Sequence, residues 1–507
     1  MDVVARPTHG SGLDSAALPP DLSVEYLREW RILPVFQAGD RLRVLADHPP
    51  DPQVLDDLRW IYGAEPEVEP TTAVELDAAL DRVEQSKAET AADLIAALEP
   101  GSLGEGHDEA GEASLLARAQ QPPVIRLVNL LLLEALEARA SDVHLEAVPG
   151  GLEVRYRVDG VLLKAPSPPP GLAAAVVSRL KVMAEMDVAE RRRPQDGRVR
   201  LRLEDRPVDV RVSTLPTLYG ESVVLRLLEA AGRRLSLAEL GMGEDTRAEV
   251  EALLGRPHGM LLVTGPTGSG KTTTLYAALD RLRTGREKIV TVEDPIEYAL
   301  AGVAQVPVNR KAGVTFASAL RSILRQDPDV LLVGEMRDPE TAEICIQAAL
   351  TGHLVLSTLH TNDAPGALIR LQDLGTEPYL VASTVEAVLA QRLVRTVCTE
   401  CAEEEVLAPA AAEEMARAGF PIERVVRGRG CDHCRWTGFR GRTGIYELLK
   451  VDGDIRSETL RGRGAAVIRK LALEKGMRAL RADGWRQVAA GLTTPEEVLR
   501  VANSEEK

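Results

Sequence analysis

The segment GPTGSGKT, residues 265–272, has the residue types needed to hold a triphosphate. Its glycines let the backbone curl so that N–H groups face phosphate oxygens, and the helix expected after it points its positive dipole end at the same place. Lys271 supplies a mobile positive charge, and Thr272 supplies a hydroxyl ligand for Mg²⁺. An apolar strand precedes the segment and the helical pattern TTTLYAALDRL follows it, as a P-loop requires. The predicted ATP-binding residues of this loop are Gly265, Pro266, Thr267, Gly268, Ser269, Gly270, Lys271, Thr272 and Thr273.

Two acidic clusters follow later apolar strands. TVEDPIEY places Glu293, Asp294 and Glu297 just beyond the run KIVTV, and Glu335 follows the run VLLV. In open α/β sheets ligands bind at the carboxyl ends of the strands, where a P-loop also lies. Carboxylates at this edge can organise Mg²⁺ and orient the attacking water or accept its proton. The alternative, solvated loop carboxylates without a role, is weakened by the P-loop.

A histidine follows a further strand, in the segment TGHLVLSTLHTND. His360 comes at the carboxyl end of this strand, beside Thr358 and Thr361, where hydrogen bonding to the terminal phosphate is the functional interpretation. A lone histidine is more often structural than catalytic. For His353, which precedes the strand, the two roles stay open.

Hydrolysis also gains from a positive charge placed on the transferring phosphoryl group, often from a neighbouring domain or subunit. Taken singly, an arginine is more typical of a surface ion pair, but in a ring we expect at least one to reach nucleotide. Six candidates, three on strand-like segments before the P-loop core and three within it, are Arg198, Arg211, Arg226, Arg321, Arg325 and Arg337.

Four of the five cysteines form two CxxC pairs separated by 29 residues, Cys398 with Cys401 and Cys431 with Cys434. Four thiolates give closed tetrahedral ligation, so the spacing predicts a structural zinc site without an open catalytic position. Reduced cysteines without metal are the alternative, and redox disulfides are disfavoured because neither pair sits on a thioredoxin-like unit. Cys345 lies in the helical run EICIQAAL and is predicted to be a core residue.

Length, charge and hydropathy limit the class of protein. A chain of 507 residues is too long for one core, which predicts two to four domains. Its net charge of -16 argues against a general affinity for nucleic acid, because that affinity comes from Lys and Arg displacing counterions. With no apolar run of about 18 residues and no N-terminal export signal, the sequence predicts a cytoplasmic protein.

The pattern of elements before the P-loop predicts three parts. Residues 1–85 form a small α+β module whose strands flank a Gly39–Asp40 turn, and residues 86–121 form a flexible acidic linker with a short helix inside it. Residues 122–232 begin with an amphipathic helix and continue with strand-like alternation, including a tight Asp159–Gly160 turn. An α/β domain with an antiparallel sheet fits that order.

From residue 237 to residue 507 the pattern changes to short apolar strands alternating with helices. The runs GMLLVTG, KIVTVED, DVLLVGE and HLVLSTLH indicate a parallel sheet covered on both faces. The sequence therefore predicts a RecA-like α/β core. The zinc-bearing subdomain is expected over residues 396–445, and short helices are expected beyond Cys434.

In combination, these motifs resemble the secretion ATPase superfamily, and within it the general secretory pathway protein E family, the ATPases of type II secretion systems. GPTGSGKTTTLYAAL resembles that family's Walker A motif, TVEDPIEY its Asp box, ILRQDPDVLLVGEMRDPETA its Walker B region and TGHLVLSTLHTNDA its His box. RRRPQDGRVRLR and VDVRVSTLPTLYGESVVLRLL resemble its second, PAS-like N-terminal domain, and the CxxC pairs with GFRGRTGIYELL resemble its zinc-bearing subdomain. The resemblance covers nearly the whole chain.

The resemblance implies roles for individual residues. Lys271 and Thr272 would hold the phosphates and Mg²⁺, with His360 at the same catalytic centre. Glu297 corresponds to the general base proposed for relatives, and Glu335 to the Walker B acid that helps hold the metal or the water. Because the Walker B strand lacks the usual Asp, the assignment of the base stays open between Glu335 and Glu297. Arginines that the second domain swings onto the nucleotide correspond to Arg211 and Arg226.

The resemblance also implies an assembly. Such enzymes are homo-hexameric rings at the cytoplasmic face of the inner membrane, and their ATP-driven domain rotation drives pseudopilus assembly and protein export. The first domain is expected to dock on the cytoplasmic domain of general secretory pathway protein L, and the inner-membrane platform protein, general secretory pathway protein F, is the other expected partner. No nucleic-acid partner is expected.

Three alternatives remain at this point. A type IV pilus assembly or DNA-uptake ATPase shares the nucleotide chemistry and the zinc site, although pilus assembly ATPases usually carry a longer first domain. A RecA-like nucleic-acid motor predicts a basic channel studded with aromatics, for which an acidic chain with four Trp and four Phe offers no cluster. A zinc adaptor that binds nucleotide without hydrolysing it is the third.

Overall fold

The computed structural model describes residues 24–37, 41–62, 66–86, 91–97, 118–203, 206–229 and 235–502. The chain divides into two compact units. One comprises residues 1–134, 149–152 and 166–179, and the other comprises residues 135–148, 153–165 and 180–507. Among the described residues, no helix combines the length and the apolar character that crossing a membrane requires.

The first 97 residues contain a three-stranded sheet with helices, as the α+β prediction requires. Strand β1 pairs with β2 antiparallel, and β2 pairs with β3 parallel. Leu27, Leu42, Leu58 and Leu76 are buried in one core. The predicted Gly39–Asp40 turn lies outside the described residues, and a helix occupies part of the segment expected to be a linker. The elements are α1 (Val24–Glu29), β1 (Ile32–Gln37), β2 (Arg41–Ala46), α2 (Pro52–Tyr62), β3 (Pro66–Pro70), α3 (Ala73–Ser86) and α4 (Ala91–Ala97).

A six-stranded sheet follows, in the order β6-β5-β4-β9-β8-β7. The two-residue turn between β5 and β6 has Asp159 at φ 48° and Gly160 at φ 84°, the positive values that a tight type I′ hairpin requires. The elements are α5 (Pro122–Glu137), β4 (Ala140–Val148), β5 (Gly151–Val158), β6 (Val161–Lys164), α6 (Ala173–Met183), β7 (Gln195–Leu203), β8 (Arg206–Thr217) and β9 (Gly220–Glu229).

The P-loop lies on a seven-stranded sheet of order β12-β11-β13-β14-β10-β15-β18. Strand β10, which leads into the P-loop, pairs in parallel with β14 and β15, and β13 pairs in parallel with β14. Strands β10, β11, β13 and β14 are buried along their whole length, which explains their continuous apolar runs. The predicted RecA-like core is confirmed. Its strands are β10 (Gly259–Thr264), β11 (Ile289–Glu293), β12 (Ala304–Pro307), β13 (Val330–Val333), β14 (Leu354–Leu359), β15 (Val385–Val397) and β18 (Phe439–Lys450).

The short helices expected beyond Cys434 are present from residue 453 to residue 502, but a strand that the sequence did not predict precedes them. Strand β18 runs through this region and pairs antiparallel with β15 as an edge of the main sheet. Its apolar residues Ile445 and Leu449 are buried in the hydrophobic core. The pairing with a distant strand is not visible in the local periodicity. Between the two strands lies a separate antiparallel pair, β16 (Ala402–Val406) and β17 (Arg424–Gly428).

Helices alternate with the strands of this sheet along the sequence. The P-loop leads directly into α8, and α10 and α11 follow the strands β13 and β14. The helices are α7 (Glu244–Leu254), α8 (Lys271–Leu282), α9 (Phe316–Ile323), α10 (Pro339–Leu350), α11 (Ala364–Asp373), α12 (Pro378–Thr384), α13 (Pro409–Arg417), α14 (Gly453–Leu460), α15 (Ala465–Glu474), α16 (Leu480–Ala489) and α17 (Pro495–Ala502).

Candidate active site

The P-loop joins the end of β10 to the start of α8 in a turn that only glycine allows at two positions. Gly265 has φ 150°, and a Cβ there would lie 2.5 Å from the Gln391 carbonyl oxygen. Gly270 has φ 88°, and a Cβ there would lie 2.7 Å from Gln391 Nε2. Ser269 Oγ is buried and makes no hydrogen bond within the described part of the chain. A buried polar atom without a partner in a glycine-lined turn fits a phosphate ligand.

Lys271, the first residue of α8, is folded back over this loop. Its Nζ donates to the carbonyl oxygens of Gly265, at 2.7 Å, and Pro266, at 3.1 Å. Burial lowers the pKa of Lys271 to about 8, opposed by the Glu335 carboxylate and assisted by the Arg392 guanidinium. The ammonium group is therefore held among backbone dipoles where a phosphate charge would stabilise it.

Glu335 follows β13, and His360 follows β14, at the same edge of the sheet. The Glu335 carboxylate pairs with Arg337 and lies 3.4 Å from His360 Nε2. Thr358 Oγ1 donates to the Gly334 carbonyl at 2.7 Å, which fixes the two strand ends against each other. Partial burial and then the charge of Lys271 lower the pKa of His360, against the opposing effect of Glu335. Lys271, Glu335 and His360 thus form one electrostatic group beside the P-loop.

The acids after β11 divide between two environments. Glu297 Oε2 lies 3.6 Å from Arg211 Nη2, and both side chains are partly exposed. Asp294 faces Arg310 at 3.5 Å. Glu293 is buried, where it accepts hydrogen bonds from the Tyr276 hydroxyl and from Thr291 Oγ1. The structure therefore places Glu293, a predicted nucleotide ligand, in a buried hydrogen-bond network.

Arginines of the six-stranded sheet stand in one cross-strand row. The register places Arg198 opposite Arg211, Arg211 opposite Arg226, and Arg226 opposite Asp142. Directly opposed residues of an antiparallel pair share a face, so the three guanidinium groups belong to the same side of the sheet. Arg226 is paired with Asp142 at 3.0 Å, whereas Arg211 meets Glu297.

The remaining candidates make local contacts. His353 Nδ1 lies 2.9 Å from the Ala348 carbonyl oxygen at the end of α10, a structural position. Arg321 pairs with Glu340, and Arg325 donates to the Arg321 carbonyl. Cys345 is fully buried, and burial raises the pKa of its thiol to about 12.

Sequence reasoning missed two buried polar residues on β15. Gln391 Oε1 accepts from Thr274 Oγ1 at 2.7 Å, and Arg392 Nη2 donates to the Asn362 carbonyl at 2.9 Å. Both lie beside the P-loop because β15 is a neighbour of β10. The signal that could have identified them is the pair of adjacent polar residues, Gln391 and Arg392, inside the mostly apolar run VEAVLAQRLV.

A cavity of about 630 Å³ opens beside the P-loop. Gly270 and Thr273 line it on the phosphate side, and Leu235, Leu393 and Tyr298 are among its apolar lining residues. Polar and charged side chains, among them Gln391 and Arg442, line the rest of the cavity. Concave sites of this size accept small organic ligands.

The four cysteine sulfurs of the CxxC pairs converge, with all Sγ atoms within 4.8 Å of one another. The Sγ–Sγ distances are 3.9 Å for Cys398–Cys431 and 3.8 Å for Cys401–Cys434. A tetrahedron with Zn–S bonds of about 2.3 Å has sulfur–sulfur edges of about 3.8 Å. The donor set and its spacing therefore fit Zn²⁺.

Backbone N–H groups also point at these sulfurs. Cys431 N and Gly438 N lie 3.2 and 3.3 Å from Cys434 Sγ, and Gly430 N lies 3.3 Å from Cys401 Sγ. Burial would raise the pKa of Cys434, but the backbone hydrogen bonds outweigh it and lower that pKa to about 7. At Cys434 the fold thus favours the thiolate that a metal binds. At Cys398 and Cys401, burial instead raises the pKa of the thiol.

A parallel sheet with a P-loop at the carboxyl end of β10, acids after β11 and β13, and an arginine row facing one of those acids defines the secretion class of RecA-like P-loop ATPases. Residues 117–500 match the family model described as type II/IV secretion system protein, and residues 11–90 match the model of the MshEN domain. The chain belongs to the type II secretion system protein E family.

Sequence similarity to known proteins extends over nearly the whole chain. A type II secretion system protein E of Pectobacterium carotovorum subsp. carotovorum is 47% identical over 96% of this chain and 98% of its own length. That of Aeromonas hydrophila is 45% identical over 97% and 99%, respectively. The type II secretion system ATPase E of Vibrio cholerae is 49% identical over 76% of this chain and 77% of its own.

Solved structures agree on the fold. The crystal structure of the pilus retraction motor PilT with bound ADP has a TM-score of 0.50 and 26% identity, over 74% of this chain and 96% of PilT. The Legionella pneumophila ATPase DotB has a TM-score of 0.55 and 20% identity, over 75% of this chain and 96% of DotB, a likeness of fold alone.

Proposed function

We propose that this chain hydrolyses ATP at the P-loop and that hydrolysis drives pseudopilus assembly and protein export through a type II secretion system. The observation that carries the proposal is Lys271, which is folded back over the P-loop and lies in the electrostatic field of the Glu335 carboxylate. Within the described part of the chain, the Ser269 hydroxyl of the same loop has no hydrogen-bond partner. That arrangement binds and polarises a terminal phosphate. The identity to type II secretion ATPases supports the choice of system.

The residues of the site divide the work. P-loop N–H groups and Lys271 hold the phosphates, Thr272 and Glu335 would hold Mg²⁺, and the cavity beside the loop takes the base and sugar. Mg²⁺, when bound, neutralises phosphate charge. We assign Glu297 as the acceptor of the water's proton. Glu335 is engaged with two side chains of its own edge of the sheet, Arg337 and His360, whereas the ion partner of Glu297, Arg211, is a group that the proposal moves to the phosphate.

Arg211 and Arg226 supply the positive charge for the transferring phosphoryl group in this proposal. Their place in one row supports it, because a small movement of a single sheet delivers both guanidinium groups together. In this structure Arg211 rests on Glu297, an anion that a phosphate replaces.

The proposal extends to the assembly. A homo-hexamer at the cytoplasmic face of the inner membrane, reached through general secretory pathway protein L and acting on the platform protein general secretory pathway protein F, is the arrangement that fits the family. Zinc bound by the four cysteines would stabilise the segment between β15 and β18 by ~10 kcal/mol.

The catalytic part is tested on the full chain with Lys271→Ala and Glu335→Gln. Both variants are expected to keep the parent's circular dichroism and melting temperature while losing at least about 100-fold in ATPase rate. The matched control is Glu340→Gln, an acid on α10 that pairs with Arg321, which should keep the parent rate. Parent-level hydrolysis by Lys271→Ala would refute the proposal.

The choice of secretion system is tested separately. The full chain should co-purify with the cytoplasmic domain of general secretory pathway protein L and gain ATPase rate from it. Capture of a type IV pilus platform component instead would favour the pilus alternative, and ATPase stimulation by DNA would favour a nucleic-acid motor.

A further inference from the structure

The loop that carries Glu297, residues 294–303 between β11 and β12, is held by a network of side chains in which Gln305 lies outside the recognised motifs. We name it the Glu297 loop. Its anchors are Gln305 on β12 and Tyr276 on α8. The arrangement matters because a catalytic carboxylate on a loop needs its backbone fixed to within fractions of an ångström.

Gln305 uses both ends of its amide on this loop. Its Oε1 accepts from Leu300 N at 2.7 Å, and its Nε2 lies 3.2 Å from the Tyr298 carbonyl oxygen. The same Nε2 lies 3.2 Å from Glu293 Oε1, at the point where β11 ends and the loop begins. One side chain therefore ties two backbone positions of the loop to the end of the strand before it.

Tyr276 connects the loop to the P-loop helix. Its hydroxyl donates to the Glu293 carboxylate. The hydroxyl oxygen in turn accepts from the backbone N–H of Glu297, at an N–O distance of 3.4 Å. The Tyr298 ring meets the Tyr276 ring edge-on, with centroids 4.6 Å apart and an interplanar angle of 78°. Because α8 begins at Lys271, the helix that carries the phosphate-binding lysine also carries the contact to Glu297.

We infer that Gln305 and Tyr276 are positioning residues for ATP hydrolysis, which hold Glu297 at a fixed place relative to the P-loop through the buried Glu293 carboxylate. The inference rests on the proposed role of Glu297. It also gives Glu293 a function: its charge accepts the hydrogen bonds that hold the loop.

The test begins with Gln305→Leu in the full chain, which keeps the shape and removes the hydrogen bonds. The expected result is a kcat about 10 to 100-fold lower, with KM for ATP and affinity for a fluorescent ADP analogue within about threefold of the parent. Gln347→Leu, at an exposed glutamine on α10, is the matched control and should keep the parent kcat. An unchanged kcat in Gln305→Leu would overturn the inference.

A double-mutant cycle separates positioning from a merely structural role. In the Glu297→Gln background, Gln305→Leu should change kcat by less than about twofold, because the carboxylate it positions is already gone. The same fold-loss in both backgrounds would show that Gln305 acts elsewhere. Tyr276→Phe, which removes one hydroxyl, should behave alike with a smaller loss of about three to tenfold, and it carries the test if Gln305→Leu fails to fold.

Hydrogen–deuterium exchange supplies a readout independent of catalysis. Gln305→Leu should speed exchange of the 294–303 amides at least about tenfold while P-loop amides keep the parent rate. Unchanged exchange in the Glu297 loop would overturn the inference whatever the enzyme's activity. If the parent chain had no ATPase activity, the proposed function would be overturned. The exchange result alone would then decide whether Gln305 holds the Glu297 loop.

Discussion

Arg211 and Glu297 form an ion pair across 3.6 Å, although one belongs to the strand β8 and the other to the loop after β11. The pair joins the arginine row of the six-stranded sheet to an acid of the P-loop core. It places a candidate phosphate-binding cation and a candidate general base in direct contact.

Replacing Arg211 tests this contact. Arg211→Ala is expected to lower kcat at least about 100-fold. In P-loop enzymes, an arginine placed on the transferring phosphoryl group raises kcat by a factor of about 10³ or more. Steady-state ATPase assays measure it. Arg200→Ala, an exposed arginine on β7 that pairs with Asp209, should keep the parent kcat. Equal rates for both variants would remove Arg211 from the reaction.

The two candidate acids should respond differently to neutralisation. Glu297→Gln is expected to lower kcat by about 10² to 10⁴ with an unchanged Mg²⁺ requirement, as loss of a general base does. Glu335→Gln is expected to raise the Mg²⁺ concentration needed for half-maximal rate. Titration of Mg²⁺ at saturating ATP measures both, and the reverse pattern would assign the base to Glu335.

The lowered pKa of Lys271 predicts a pH dependence of nucleotide binding. The free chain loses the ammonium proton as pH rises through about 8, well below the ordinary value for lysine, so ADP must be bound with uptake of a proton above that pH. Affinity should be constant below pH 8 and fall by up to about tenfold per pH unit above it. Calorimetry between pH 7 and 9.5 measures this.

Lys271→Arg provides the control for that titration, because a guanidinium stays charged over the whole range. Its ADP affinity, whatever its absolute value, should be flat from pH 7 to 9.5. A pH-dependent fall of equal size in both proteins would show that another group titrates.

The zinc site should be separable from the nucleotide site. Cys398→Ser is expected to reduce bound zinc from one ion per chain to near zero and to lower the melting temperature, since a structural zinc site of this kind is worth ~10 kcal/mol. Elemental analysis and affinity for ADP measure the two sites independently. Cys345→Ala, which removes the core thiol, should retain one zinc, and full zinc content in Cys398→Ser would contradict the assignment.

Much of the site was predictable because its chemistry is local. A phosphate loop needs contiguous glycines before a lysine, and two CxxC pairs place four thiols within reach of one ion. The acids at the ends of β11 and β13 were also predictable, because all parallel strands present their carboxyl ends at one edge. Glu335 and His360, for example, meet at 3.4 Å at that edge.

The sequence by itself thus determined the class of nucleotide site, the parallel core around it and the cluster of four cysteines. Tertiary structure decided which partners those residues meet: that Arg211 reaches Glu297, that Glu293 turns to Tyr276, and that Gln305 clamps the loop between them. It also decided that β18 completes the main sheet. The physical reason is that these contacts depend on strand register and on packing between distant segments, and neither leaves a periodic mark in the local sequence.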